Sequence, residues 1–364
     1  MDHGRKIRSS LGPPGLTVGR VGDLTQLVDN LAAETGFAGV VRVDRGGETL
    51  IEAAYGLADR AHGIPMTTEN QIAIASGSKA FTALAVMSLV EQGALALAST
   101  ARSVLGADLP LIADEVTVEH LLAHRSGIGD YLDEEADNPI EDYLLTVPLH
   151  LLAETEGFLP ALDGFATKFP AGQRFEYCNG GFIVLALIAE RVAGIGFHQL
   201  VLDRVCRPAG MADTDFLRSD ALPGRAALHY LQIDGQWRTN VLHLPVRGNG
   251  DGGIYTTAAD LHRFWPALFA GRIVGLDTLR EMIRPRSSTE SGRARYGLGF
   301  WLGGTGEAVD LEGYDAGVSF NSQHHPGTGL TRTVMATTSA GAAPVRQALD
   351  AALAQRITRD YSAR

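Results

Sequence analysis

The sequence predicts an α/β (α+β) fold: an antiparallel sheet flanked by terminal helices, with a mainly helical domain inserted between its two halves. Three observations carry this. Short apolar runs bounded by Gly-rich turns occur near residues 40–55 and again from 295 to 338. Long apolar segments at helical spacing fill the middle of the chain. The 364 residues, 45% hydrophobic and 20% charged, suffice for a large core, and no repeat or long linker interrupts them.

Taken in order, residues 1–17 are a polar, Gly/Pro-bearing lead-in. Leu24, Leu27, Val28 and Leu31 recur at helical spacing, so a helix is expected near 23–35, stopped by Gly36. Val40, Val41 and Val43 form one arm of a hairpin, Gly46-Gly47 the turn, and Leu50 to Tyr55 the other arm. Residues 77–92 read as a buried helix, because Phe81, Leu84, Met87 and Leu89 leave little polar face. A second helix is expected through VTVEHLLAHRSG, with Thr117 as N-cap and Gly127 as its end. A third, GGFIVLALIAERVAG, closes at Gly194, and two more lie near 198–206 and 257–270. Strands return in YGLGFWLG, in 309–321 and in TRTVMATTS. The last helix has Pro344 in its first turn. The expected domains are therefore 18–75 with 255–364, and 76–254 inserted between them, with a site in the cleft at their junction.

Bulk charge narrows the function. A net charge of −11 and the lack of any Lys/Arg block argue against nucleic acid. Cys178 and Cys206 are too few for a disulfide framework and are expected as free thiols. MDHGRKIRSSLGPPG has no apolar signal core, and no run of eighteen apolar residues occurs, so the expectation is a cytoplasmic protein without a membrane span.

Only three lysines occur, Lys6, Lys79 and Lys168, which gives weight to the surroundings of Lys79. Ser76-Gly77-Ser78-Lys79 stands where an apolar strand-like segment enters a helix, and residues three apart on a helix share a face. A hydroxyl needs help to lose its proton before it attacks. A buried lysine can take that proton or hold the proton network in place. Tyr177-Cys178-Asn179 precedes another buried helix. A phenol near a cation can act as base or relay, and the Asn amide can bond both lysine and a substrate carbonyl.

IASGSKAFTA, VTVEHLLAHRSGIGDY, FPAGQRFEYCNGGFIVLALIAERVAG, VCRPAGMADTDF and GDGGIYTTAADLHRF resemble, in order, successive blocks of the serine β-lactamase-like family. That family includes class C β-lactamases, D-alanyl-D-alanine carboxypeptidases, D-aminopeptidases and esterases. The resemblance covers about residues 35–340 and implies a β-lactamase/transpeptidase-like fold. It also implies Ser76 as nucleophile, Lys79 and Tyr177 as its proton-handling partners, Asn179 as a substrate-binding residue, and an acyl-enzyme. The family's third motif, a Lys-Thr-Gly or His-x-Gly strand, has no counterpart in VDLEGYDAGVSFNS. Glu312 and Asp315 are expected on that strand as substrate-binding residues. An acid there would repel a carboxylate and suit an amine or a neutral ester. A backbone N–H near Gly317 to Ser319 is expected to complete the oxyanion hole.

Other signals weigh less. His120 and His124 have the i, i+4 spacing of metal ligands but lack the H-E-x-x-H pattern. His324-His325 is expected in a solvated turn, and GNGDGG (248–253) as a turn or cleft wall. No cofactor or metal is implied, and the expected partner is a small-molecule ester, amide or peptide substrate. The favoured activity is that of a carboxylesterase or D-amino-acid amidase/peptidase. Its alternatives are an acyltransferase, a β-lactamase/DD-carboxypeptidase, or a non-catalytic binding protein on the same scaffold.

Overall fold

The computed structural model describes residues 21–134, 143–289, 294–303 and 308–362. The two ends of the chain build one eight-stranded antiparallel sheet. Its spatial order is Glu48–Tyr55, Gly39–Arg45, Leu330–Ala336, Val318–His325, Val309–Asp315, Trp301–Leu302, Arg295–Tyr296 and Ser287–Ser288. The N-terminal hairpin thus pairs with the last strand, Gly39 opposite Ala336 and Arg45 opposite Leu330.

Alternation along these strands creates two buried faces. Val41, Val43 and Val334 pack against Leu24, Val28, Val345 and Leu349 of the terminal helices Val21–Thr35 and Ala342–Ser362. Val40, Phe320 and Met335 turn to the opposite face, into the main core with Phe81, Phe264 and Trp265. That core also swallows the helices Lys79–Glu91 and Asn179–Ala193, which explains their lack of a polar face. Gly194, in the left-handed conformation, ends the second of them. No single helix among the described residues is long and apolar enough to cross a membrane.

Two expectations need correction. The helix expected to reach Gly127 is one short turn, Val118–Leu122, capped by Thr117. It stops because His124 takes φ 53°, outside any right-handed helix. His324 is buried within the strand Val318–His325, not solvated. Its ring stacks on Trp265 (5.6 Å, 15°), and Nδ1 lies 2.9 Å from Thr331 Oγ1.

Candidate active site

The strand Ile72–Ala73 pairs with Tyr255–Thr256 and delivers the chain into a 3-10 turn, Ala75–Ser78, that runs directly into the helix Lys79–Glu91. Ala75 has φ 44°, a left-handed conformation that costs a non-glycine residue energy. Burial with Ala73, Tyr255 and Val318 holds it there. The turn leaves Ser76 half-buried at the cleft, with Ser78 and Lys79 buried behind it.

Lys79 is the hub. Its Nζ donates to Ser76 Oγ at 2.9 Å, to Asn179 Oδ1 at 2.7 Å and to the Asp251 carbonyl at 2.8 Å. Burial lowers its pKa below the usual 10.5, while the carboxylates of Asp251, Glu134, Asp130 and Asp315 oppose that fall. Asn179 opens its helix, and its Nδ2 donates to Leu132 O and Glu134 Oε1, both at 2.9 Å. Asp130 anchors the junction by accepting from the backbone N–H groups of Asn179 (2.6 Å) and Gly180 (2.7 Å) at that helix N-terminus. Next to it, the Tyr131 hydroxyl donates to Asp251 Oδ2 at 2.5 Å.

Tyr177 hydrogen-bonds Ser76, and burial together with the Glu134 carboxylate raises its phenol well above the ordinary value. Lys79 Nζ stands 4.9 Å from the ring centre. The ring lies between His124 (4.3 Å) and Trp301 (6.0 Å, 10°).

Ser76, Asn179, Glu134, Asp251, Tyr314 and Asp315 share the wall of a cleft of about 950 Å³. Leu132, Leu145, Leu217, Val241 and Leu244 give it an apolar side. Asp315 ends the strand Val309–Asp315. Burial lifts its carboxyl to about 7, with Asp251 and Glu134 adding to the effect. Glu312 is exposed and lines a smaller pocket of about 190 Å³ on another side of Ser76, with Tyr177, Trp301 and Leu311.

The register of this strand corrects the expectation for the third motif. A Cβ on Gly313 would overlap the Ile74 carbonyl oxygen and lie 3.0 Å from Gly77 N. Gly313 is therefore the glycine pressed against the nucleophile turn. Gly317 instead packs beside Tyr230 and Asn240 and donates its N–H to Ser339 Oγ at 2.9 Å. Ser319 donates to Thr338 O and accepts from Ala342 N, so neither Gly317 nor Ser319 faces the cleft. Counting back from Gly313, the position of a Lys-Thr-Gly or His-x-Gly cation falls on buried Leu311, not on Asp315 or Glu312.

Sequence reasoning missed Asp130, Tyr131, Glu134 and Asp251. Asp251 lay inside the Gly-rich GNGDGG stretch, read only as a turn or wall. Asp130-Tyr131 stood at the end of a quoted block with no periodic signal to mark it.

The model of the beta-lactamase family matches residues 24–356. Esterase EstB of Burkholderia gladioli is 33% identical over 219 residues, 58% of this chain and 55% of its own length. The D-aminopeptidase of Brucella anthropi is 26% identical over 279 residues, 74% of this chain and 50% of its own. The chain spans between half and about two thirds of the length of the curated relatives it matches. The crystal structure of a penicillin binding protein from Bacillus halodurans superposes with a TM-score of 0.84 at 35% identity, covering 90% of this chain and 99% of that one. With one family's pattern running through nearly all its strands and helices, the chain belongs to the beta-lactamase family.

Proposed function

We propose that the protein is a serine hydrolase that cleaves an ester or amide through an acyl-enzyme on Ser76. The observation that carries this reading is the Lys79 amine held 2.9 Å from Ser76 Oγ by two further acceptors. Ser76 Oγ attacks the carbonyl carbon as its proton passes to Lys79, and the Oγ–C bond forms. The oxyanion develops beside the backbone of Ser76 and Tyr314, where the strand crosses the helix start. Tyr177, held as a phenol, donates to the leaving group as the scissile bond breaks, and water then releases the acid.

The cleft favours acyl donors that lack a carboxylate. Leu311 supplies no charge where a cation would anchor one. Lys79 Nζ is already engaged by Ser76, Asn179 and the Asp251 carbonyl, and Glu134, Asp251 and Asp315 line the wall. Esters and amides that are neutral or carry an amine fit these walls. Penicillins and peptides ending in a free carboxylate fit poorly.

The test is intact-protein mass after a fluorophosphonate. Wild type should gain one adduct and Ser76→Ala none. An unmodified wild type, or an adduct that survives in Ser76→Ala, would end this reading. On the modified protein's parent, kcat/KM for a neutral p-nitrophenyl ester should exceed that for its carboxylate-bearing analogue at least about 10-fold.

A further inference from the structure

The acyl-enzyme scheme makes no use of His124, which stands four residues after His120. The structure separates the two. His120 Nδ1 accepts from Thr117 N at 3.3 Å and closes the cap of its own helix. His124 turns beneath Tyr177 and brackets it. The backbone N–H of Glu176 donates to the His124 carbonyl at 2.9 Å, and that of Cys178 donates to its Nδ1 at 3.0 Å. Between these two bonds the Tyr177 ring rests on the imidazole, centroids 4.3 Å apart and planes 30° from parallel. Phe182 at 4.9 Å and Tyr296 at 4.7 Å close the imidazole in.

Because Nδ1 accepts, the one proton of the neutral ring sits on Nε2. That atom is buried with no hydrogen-bond partner among the described residues. Burial and the nearby Lys79 keep the ring uncharged. An unpaired buried N–H and a φ of 53° each destabilise the fold. Neither is needed merely to fill the space. The other ring stacked on Tyr177 among the described residues, Trp301, is half-buried and farther away, so the buried imidazole is the closer and more enclosed partner.

We infer that His124 is a positioning residue for Tyr177, fixing the phenol against Ser76 and Lys79 through the N–H groups on either side of it and through the face of its ring. The inference rests on the acyl-enzyme reading of Ser76.

Two substitutions separate the parts of this device. His124→Asn keeps an acceptor and suits the left-handed backbone but removes the ring, whereas His124→Phe keeps a ring and removes the acceptor. With a neutral p-nitrophenyl ester, each should lower kcat about 10-fold and leave KM within about 3-fold. In a Tyr177→Phe background, each should change kcat less than about 2-fold, because its effect passes through the missing phenol. Losses that multiply in the double variants would overturn the inference, as would an unchanged kcat in both single variants. If His124→Phe fails to fold, the His124→Asn cycle decides alone. A wild type that takes no fluorophosphonate at Ser76 removes the underlying reading instead, which keeps the two failures distinct.

Discussion

At Lys79, counting protons decides the chemistry. An ammonium satisfies Ser76, Asn179 and the Asp251 carbonyl with its three N–H groups. A neutral amine has two, which Asn179 and Asp251 take, leaving the lone pair directed at the Ser76 hydroxyl. The same geometry therefore serves as resting state and as base, and the lowered pKa brings the base within reach. The Tyr177 phenol moves the other way, which suits the donor role proposed for it. It follows that kcat/KM for a neutral ester rises with pH along a limb whose midpoint lies below the ordinary lysine value of 10.5. A midpoint at or above that value would remove Lys79 as the base. Lys79→Met should lower kcat by about 10²–10⁴-fold, and Tyr177→Phe by a similar factor.

At the scale of elements, the site depends on how closely the strand Val309–Asp315 approaches the turn Ala75–Ser78. Gly313 makes that approach possible. Gly313→Ala puts a methyl group into the Ile74 carbonyl, and the strand must retreat from Ser76. We expect a loss of kcat/KM of about 10²-fold or more and a cost of about 1–3 kcal/mol in stability, read by ester kinetics and denaturant unfolding. Gly224→Ala, where a Cβ meets nothing, should stay within about 0.5 kcal/mol. The elements themselves were largely legible. The helices Val21–Thr35, Lys79–Glu91, Asn179–Ala193 and Ala258–Phe269 announced themselves by their apolar runs and by stops such as Gly36 and Gly194, and the first hairpin by Gly46-Gly47. So was the grouping of Ser76, Lys79 and Asn179, because local spacing and block order carried it. The register at 311–319 was not, since two glycines four residues apart offered two alignments and only packing chooses Gly313. Asp130 and Asp251 were illegible for a related reason. Their meaning lies in partners across the fold, the Asn179 helix start and Tyr131.

Across the whole molecule, the acidic site works against stability. Burial raises the carboxyls of Asp315 to about 7 and of Asp130 and Asp310 to about 6, and it raises Asp251 as well. In the unfolded chain these groups titrate near 3.8. Between those values the folded state binds more protons at these carboxyls than the unfolded one, so their contribution to stability falls as pH rises. The favourable contribution is complete below the unfolded value and gone above about 7. Burial lowers the pKa of His124, His198, His229, His262, His324 and His325, which pulls stability the other way over the same window, so the acidic contribution is read as a difference: Asp315→Asn should raise Tm relative to wild type more near pH 8 than near pH 5. A Tm gain from Asp315→Asn that is no larger near pH 8 than near pH 5 would contradict this account of the site. A protein that keeps several unwelcome carboxylates around one lysine gives up stability to keep its cleft negative.

The seam between Gly39–Arg45 and Leu330–Ala336 joins residues nearly three hundred positions apart. It sets a timetable for synthesis. At about 5–20 residues per second, the segment carrying Ser76 leaves the ribosome on the order of ten seconds or more before Val309–Asp315 does. Through that interval the serine has no strand wall beside it, and the sheet under its helix lacks its central member. We expect Ser76 to become reactive only once the last strands have paired, so a chain ending before Val309 should take no fluorophosphonate.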